Sequence, residues 1–393
     1  MKRMFSKRAR EAKASEVREL LKLTDNNDII AFGGGLPAQE AFPVEEMIEV
    51  CKDILVAHGT KAMQYATTEG NNEIRGLMQE IMKEKGITAE IENILVTSGS
   101  QQGLDLTAKV FIEEGDKVIC EKPTYMAAIN AFKPFSPQFL EVEMEEDGIT
   151  LEDLEALLQQ NPDAKFIYTI PDFQNPTGRS MSLGKRKKLV HIANKYDILI
   201  IEDNPYSELR FSGETSPPIK SFDTEGRVIY LSTFSKIVCP GFRIGWVCGE
   251  KEIINKYGLL KQGTDLHTNI FSQLQILYFF KTYDIKQRIN KVREIYKKKR
   301  DVMIETIEKE FPKEVEFTRP MGGMFVWVTL PEDMEAKKLL EKAITQGVAF
   351  VPGEAFYASS EVKNTLRLNF SGLEEDKIQI GIRRLAEVIK NEM

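Results

Sequence analysis

Six short apolar runs punctuate the chain: Ile94–Thr97, Lys117–Cys120, Phe166–Ile170, Ile198–Ile201, Val228–Leu231 and Gly245–Cys248. They are too short for helices and lack the polar alternation of a half-exposed strand, so they read as strands covered on both faces. Between the earlier runs lie stretches of helical period, such as Gln101–Ile112 and Ser182–Lys195. Strand–helix–strand alternation predicts right-handed crossovers and an α/β fold with a mostly parallel sheet. The last two runs are too close for a helical crossover, so one of that pair is predicted to be antiparallel. This block, about residues 45–285, forms a large domain.

Beyond it, Ile285–Glu310 is a charged stretch of helical period long enough to connect two domains. Phe325–Leu330, Gly347–Val351 and Thr365–Phe370 then read as strands, and Glu374–Lys390 as an amphipathic closing helix. That is a smaller α+β domain. At the other end, a predicted helix over Ala14–Leu23 is cut off from the large domain by the loop FGGGLPAQEAFP. Residues 1–44 are therefore assigned to the small domain together with residues 286–393.

At 393 residues, two domains are the better prior. A net charge of −7 makes the protein a poor general binder of nucleic acid or of an anionic membrane. The four cysteines form no C-x-x-C pair, and the three histidines are far apart, so a local zinc motif is excluded and no metal is expected. The basic N-terminus has no apolar core of a secretory signal, and no run approaches the roughly 18 apolar residues of a membrane span. The expectation is a reduced, cytosolic protein.

In a parallel sheet, ligands bind beyond the C-terminal strand ends, so the residues there carry the chemistry. After Ile94–Thr97 the chain turns through Ser98-Gly99-Ser100 into a helix, whose free N–H groups suit a phosphate. A dinucleotide site is an alternative, with Glu121 at the next strand end, but SGSQQG lacks the middle glycine of that fingerprint; a plain tight turn is another. After ILII comes Asp203, with Tyr206 three residues on; an Asp here also serves as a cap. After FIYTI comes Asn175 before a proline, which also reads as a turn. After VIYL comes Lys236, close to Thr233 and Ser235, flanked by Phe234, Ile237 and Val238 and followed by Arg243. Burial and a nearby cation both disfavour an ammonium and free the amine as a nucleophile. Most lysines are solvated surface residues; the convergence of amine, carboxylate, Asn, Tyr and phosphate turn on one sheet edge is what a pyridoxal phosphate site requires.

The chain resembles the fold-type I pyridoxal-phosphate aminotransferases of class I/II, over nearly its whole length. Within them it is most similar to the branch of 2-aminoadipate, kynurenine and multisubstrate aminotransferases. The stretches that carry the likeness are ASEVRELLKL, FGGGLP, QYATTEG, TSGSQQGLDL, PTYMAAINAF, FQNPTG, EDNPYSELRF, TFSKIVCPGFRIGW, GGMFVW, FVPGEAFY and NTLRLNF, in that order. The resemblance implies a seven-stranded large-domain sheet flanked by helices, pyridoxal 5'-phosphate as cofactor, amino acid and 2-oxo acid substrates with 2-oxoglutarate as acceptor, and a homodimer with shared sites. It implies that Lys236 binds the cofactor covalently and moves the substrate proton, and that Asp203 pairs with the pyridine nitrogen. Asn175 and Tyr206 would bond the ring oxygen, and Tyr125 would stack on the ring. Gly99, Ser100, Gln101, Ser235 and Arg243 would hold the phosphate, with Thr233 adding a donor and Tyr65 reaching across from the neighbouring subunit. Arg367, helped by Asn175, would bind the substrate carboxylate; Leu366, Leu368 and Phe370 alternate on one strand face while Arg367 and Asn369 take the other. Gly34 and Gly35 would let backbone approach the substrate. Arg18 would contact a distal carboxylate of acidic substrates; the alternative is a solvated helix face.

Two other activities are compatible with the same cofactor residues or fold. One is a β-lyase. The other is the effector domain of a regulator, although the short segment ahead of the matching region leaves no room for a DNA-binding domain.

Overall fold

The structure, a computed structural model, describes residues 4–11 and 29–393. The helix expected over Ala14–Leu23, and Arg18 with it, lie outside the described residues. The central sheet contains β2 (Ile94–Thr97), β3 (Lys117–Lys122), β4 (Gln138–Glu145), β5 (Gly148–Ile149), β6 (Phe166–Thr169), β7 (Leu199–Asp203), β8 (Val228–Thr233) and β9 (Gly245–Cys248), the strand Ile30–Ala31 ahead of them being β1. Their order across the sheet is β2-β9-β8-β7-β6-β3-β4-β5. The run β8-β7-β6-β3-β4 is parallel, whereas β9 is antiparallel to both β8 and β2. The antiparallel strand expected after Val228–Leu231 is therefore β9. Seven strands make the sheet proper, and the two-residue β5 folds back on β4 as an eighth.

Every residue of β2, β6, β8 and β9 is buried, as their unbroken apolar character requires. Helices cover both faces. Helix Ser100–Phe111 buries Leu104, Leu106 and Ala108 against one of them, and helix Leu183–Tyr196 buries Leu189, Val190 and Ala193 against another part. Ser182 caps the latter by accepting from Lys185 N–H, and Asp197 ends it in the left-handed region at φ 53°.

Helix Ile285–Glu310 starts at Asp284, whose carboxylate accepts from the N–H groups of Lys286 and Gln287. It buries Ile289, Val292, Tyr296, Met303 and Ile307, an apolar stripe along one face. It leads to a second, antiparallel sheet of β10 (Glu316–Phe317), β11 (Phe325–Thr329), β13 (Val351–Pro352) and β14 (Thr365–Asn369), ordered β10-β11-β14-β13. The single strand expected over Gly347–Val351 is two: β12 (Val348–Ala349) leaves this sheet and pairs in parallel with β1. The chain just after β1 is stitched to the same region, with Phe32 N–H on Ala349 C=O and Asn369 N–H on Phe32 C=O. The FGGG loop is thereby held over β14. Among the described residues no helix is long and apolar enough to cross a membrane.

Candidate active site

The C-terminal ends of β2, β3, β6, β7 and β8 and the start of β9 open toward β14, and the chemistry gathers between them. At the end of β2, Gly99 takes φ +75°, and a side chain there would drive a Cβ to within 2.4 Å of Arg243 Nη2. Glycine is what lets the Ser98–Ser100 turn lie against that guanidinium. Arg243 Nη2 donates to Ser98 C=O at 3.3 Å. Ser235 N–H donates to Thr233 Oγ1 at 3.1 Å, and the two hydroxyl oxygens are 2.8 Å apart. Thr233 Oγ1 in turn donates to Ile244 C=O at 3.0 Å, tying the end of β8 to the start of β9. The Ser100 and Gln101 N–H groups at the start of helix Ser100–Phe111 thus face an arginine and a serine: a cradle for an anion. The Gln101 side chain reaches the next helix, its Nε2 donating to Ala127 C=O at 3.3 Å.

Lys236 lies just past β8. Its Nζ donates to Gly35 C=O at 3.2 Å, the glycine loop supplying a neutral acceptor. Burial, then the cations of Arg243 and Arg367, bring its pKa down to about 8. Asp203, at the end of β7, is 1% exposed. One of its oxygens accepts from Tyr168 O–H at 2.9 Å, while the other is buried with no partner. Burial raises its pKa to about 7, with Glu202 adding to the rise and the Tyr168 hydrogen bond opposing it. A buried carboxylate oxygen without a donor is costly unless a proton-bearing group comes to meet it.

Asn175 links the two halves of the site. Its Nδ2 donates to Tyr206 Oη at 3.4 Å, and its Oδ1 accepts from Arg367 Nη1 at 2.8 Å. Arg367 Nη2 donates to Gly33 C=O at 2.9 Å. Its guanidinium lies 4.2 Å from the ring centre of Phe325 and 4.9 Å from that of Phe356, held between two aromatic faces. At 3% exposure and with Nε lacking a partner, Arg367 is a desolvated cation, its pKa lowered to about 10 by burial. The alternation expected for this strand holds, but the Arg367 face is as buried as the Leu366 face, because the FGGG loop covers it. Tyr125 lies close enough to feel Asp203, Arg367 and Arg243 together; burial above all brings its phenol up to about 12.

Of the residues singled out from the sequence, Lys236, Asp203, Asn175, Tyr206, Tyr125, Arg367, Gly35, Ser235, Thr233 and Arg243 meet around one space, with Gly99 and Ser100 at its edge. Tyr65 stands apart, 78% exposed and edge-on to His267 with ring centres 5.9 Å apart. Tyr168, Phe325 and Phe356 were missed. Tyr168 could have been suspected as a polar tip inside the apolar run FIYTI, and both phenylalanines lie in the stretches GGMFVW and FVPGEAFY that carried the resemblance.

The donor set fits pyridoxal phosphate group by group. An anion cradle suits its phosphate, the unpaired Asp203 oxygen suits a protonated pyridine nitrogen, and an amine of lowered pKa suits its aldehyde.

Comparison with known proteins agrees with this geometry. The chain is 49% identical to aromatic-amino-acid aminotransferase 1 of Thermococcus litoralis, over 99% of this chain and 94% of that one. Among solved structures it superposes on the kynurenine aminotransferase of Pyrococcus horikoshii in complex with PMP, with a TM-score of 0.96 and 48% identity, covering 100% of this chain and 98% of that one. It is also similar to the alpha-aminoadipate aminotransferase of Thermus thermophilus, complexed with N-(5'-phosphopyridoxyl)-L-leucine (TM-score 0.93, 39% identity, 99% and 98% covered). The family model for aminotransferase class I and II matches residues 27–385, which contain every element that brings Lys236, Asp203 and Arg367 together, and the chain belongs to that family.

Proposed function

We propose that this aminotransferase works on aromatic L-amino acids and 2-aminoadipate, with 2-oxoglutarate as acceptor and pyridoxal 5'-phosphate bound at Lys236. The observation that carries the reading is the convergence of a buried amine, a half-satisfied carboxylate and a desolvated arginine at one sheet edge. The names of the similar proteins support the substrate range.

Bound, the cofactor supplies an aldehyde and an electron sink. The protein's residues do the rest. Lys236 Nζ, neutral in a large fraction near pH 8, would take the proton from the substrate's Cα and hold it for return. The unpaired Asp203 oxygen would accept from the pyridine nitrogen and keep it protonated. Arg367 offers a planar fork to the substrate carboxylate, the group all amino acid and 2-oxo acid substrates share, and Asn175 holds that fork in place. Tyr206 and Asn175 would donate to the ring oxygen, and Tyr125 would cover the ring. Arg243, Ser235, Ser100 and the N–H groups at Ser100 and Gln101 take the phosphate. Gly35 C=O gives Lys236 a resting acceptor beside the substrate.

The assembly is proposed to be a homodimer in which Tyr65 completes the partner's phosphate site, and the compartment a reducing cytoplasm, where Cys51, Cys120, Cys239 and Cys248 stay as free thiols. The testing experiment mixes the purified protein, loaded with cofactor, with phenylalanine or 2-aminoadipate and 2-oxoglutarate. Glutamate formed with the matching 2-oxo acid supports the reading. Ammonia and pyruvate from a β-substituted alanine would instead mark a lyase, and no turnover of either kind a sensor.

A further inference from the structure

Glu121 lies in β3 beneath the site and belongs to none of the groups assigned above. It is 1% exposed, and among the described residues no cation pairs with it. Its Oε1 accepts from Thr169 Oγ1 at 2.5 Å and from Ile170 N–H at 3.2 Å, and its Oε2 from Gln174 Nε2 at 3.0 Å. Burial lifts its pKa to about 7 despite those three donors. A carboxylate kept dry without a cation is expensive, so its position has to be maintained by what it holds.

What it holds is Gln174, itself 0% exposed. The Gln174 amide has no spare capacity. Nε2 donates to Glu121 and to Pro123 C=O at 2.8 Å, and Oε1 accepts from Thr177 N–H at 2.9 Å and from Thr177 Oγ1 at 2.7 Å. Its backbone closes the same turn, with Gly178 N–H on Gln174 C=O and Gln174 N–H on Arg179 C=O. The next residue is Asn175, which accepts from Arg367. A continuous buried path therefore runs from Glu121 through Gln174 and Asn175 to the guanidinium.

We infer that Glu121 is a positioning residue for the substrate-carboxylate site, acting through the Gln174 amide to hold Asn175 against Arg367. This rests on the reading that Arg367 binds the substrate carboxylate. Only an acceptor at Oε2 serves the purpose. In Glu121→Gln the two donors on Oε1 keep the remaining oxygen there, so an NH2 group faces the Gln174 NH2 group. Turning Gln174 over is no escape, because its oxygen would then meet Pro123 C=O and its NH2 group the donors of Thr177. Adding Gln174→Glu to that variant restores a donor–acceptor pair at the contact and keeps acceptors for Thr177; with its proton on the oxygen that meets Pro123 C=O, the new acid also keeps a donor there and sets no bare oxygen against that carbonyl.

The test compares holoenzymes of wild type, Glu121→Gln, the double variant Glu121→Gln/Gln174→Glu, and Arg367→Lys. Equilibrium binding of 3-phenylpropionate, an unreactive carboxylate, is measured by calorimetry beside kcat and KM for phenylalanine and 2-oxoglutarate. Glu121→Gln is expected to weaken the analogue and raise both KM values about tenfold while kcat stays within about threefold, and the double variant to recover to within about threefold of wild type. Unchanged binding and KM in Glu121→Gln, a loss confined to kcat, or a double variant as weak as the single one overturns the proposal. Should Glu121→Gln not fold, the double variant decides: near-wild-type binding supports the proposal and a tenfold loss refutes it. Arg367→Lys separates the two readings. If it binds the analogue as wild type does, the carboxylate site itself is misassigned; if it loses affinity and Glu121→Gln does not, only the role of Glu121 falls.

Discussion

Lys236 and Asp203 carry opposite titration signatures before any cofactor is bound. Lys236 falls from its usual 10.5 to about 8, so the unfolded chain binds more protons across that window and stability rises with pH through it. Cofactor-free Lys236→Met should lack that rise, seen as a flatter urea midpoint between pH 8 and pH 10.5 than wild type, and it should show no transamination when cofactor is added. Asp203 rises from 3.8 to about 7, so here the folded state binds more protons and stability falls as pH climbs through the window. Asp203→Asn should therefore stabilise the cofactor-free protein at about pH 8, by on the order of 2–4 kcal/mol, while weakening cofactor binding. A cofactor-free Asp203→Asn protein that melts below wild type at that pH would contradict the burial argument. Lys236, Asp203 and Asn175 were legible in the sequence because each follows a recognisable apolar run, whereas Arg367 was legible only through the resemblance carried by NTLRLNF. Glu121, Gln174 and Tyr168 were not, because their roles lie in partners far along the chain: Glu121 meets Thr169 and Gln174, and Tyr168 meets Asp203.

The anion cradle is a property of elements, since it exists only where the turn after β2 meets the start of β9. Gly245 makes that approach possible: a Cβ there would lie 2.7 Å from Ser232 C=O, 2.8 Å from Gly99 C and 2.9 Å from Ser100 N. All three are backbone atoms, so no side chain can swing away. Gly245→Ala is expected to push β9 off the turn and cost about 1–3 kcal/mol of cofactor affinity, measured by titration of the cofactor-free protein. Gly76→Ala is the control: it lies in helix Asn72–Glu84 with nothing within 4 Å of its Cβ, and should stabilise by about 0.5–1 kcal/mol without touching cofactor affinity. Equal cofactor affinity in both variants would remove the close-approach argument. At this scale the sequence was most informative where strands are buried on both faces. Strand β4 escaped because only Val142 is fully buried in QFLEVEME, which leaves no continuous apolar run. The split between β12 and β13 escaped because Val348, Ala349, Val351 and Pro352 form one apolar stretch, and only the pairing of β12 with β1 divides it.

For the whole molecule, the informative surface is the apolar one. Val44, Ile48, Val56 and Met63, on and just after helix Val44–Ala62, are all more than half exposed, with Val56 at 83% and Met63 at 80%. Leu259 and Leu266 stand exposed on and just beyond helix Lys251–Asp265, and Tyr65 lies beside His267. Large apolar side chains exposed on two helices are what the proposed interface between two copies of the chain would cover. The proposed second copy of the chain would also give Tyr65 a task, because its exposed ring joins none of the groups around Lys236 of its own chain. If Tyr65 completes the partner's phosphate site, Tyr65→Ala should lose cofactor affinity although it touches nothing in its own cradle. Mixed dimers then give a sharper result. In a heterodimer of Tyr65→Ala and Lys236→Ala chains, one site carries both substitutions and the other carries neither. The intact site should restore about a quarter of wild-type activity after random exchange, since half of the dimers are mixed and each has one working site of two. Exchange confirmed by mass spectrometry with activity no higher than the sum of the two parents would mean that each site is built from a single chain.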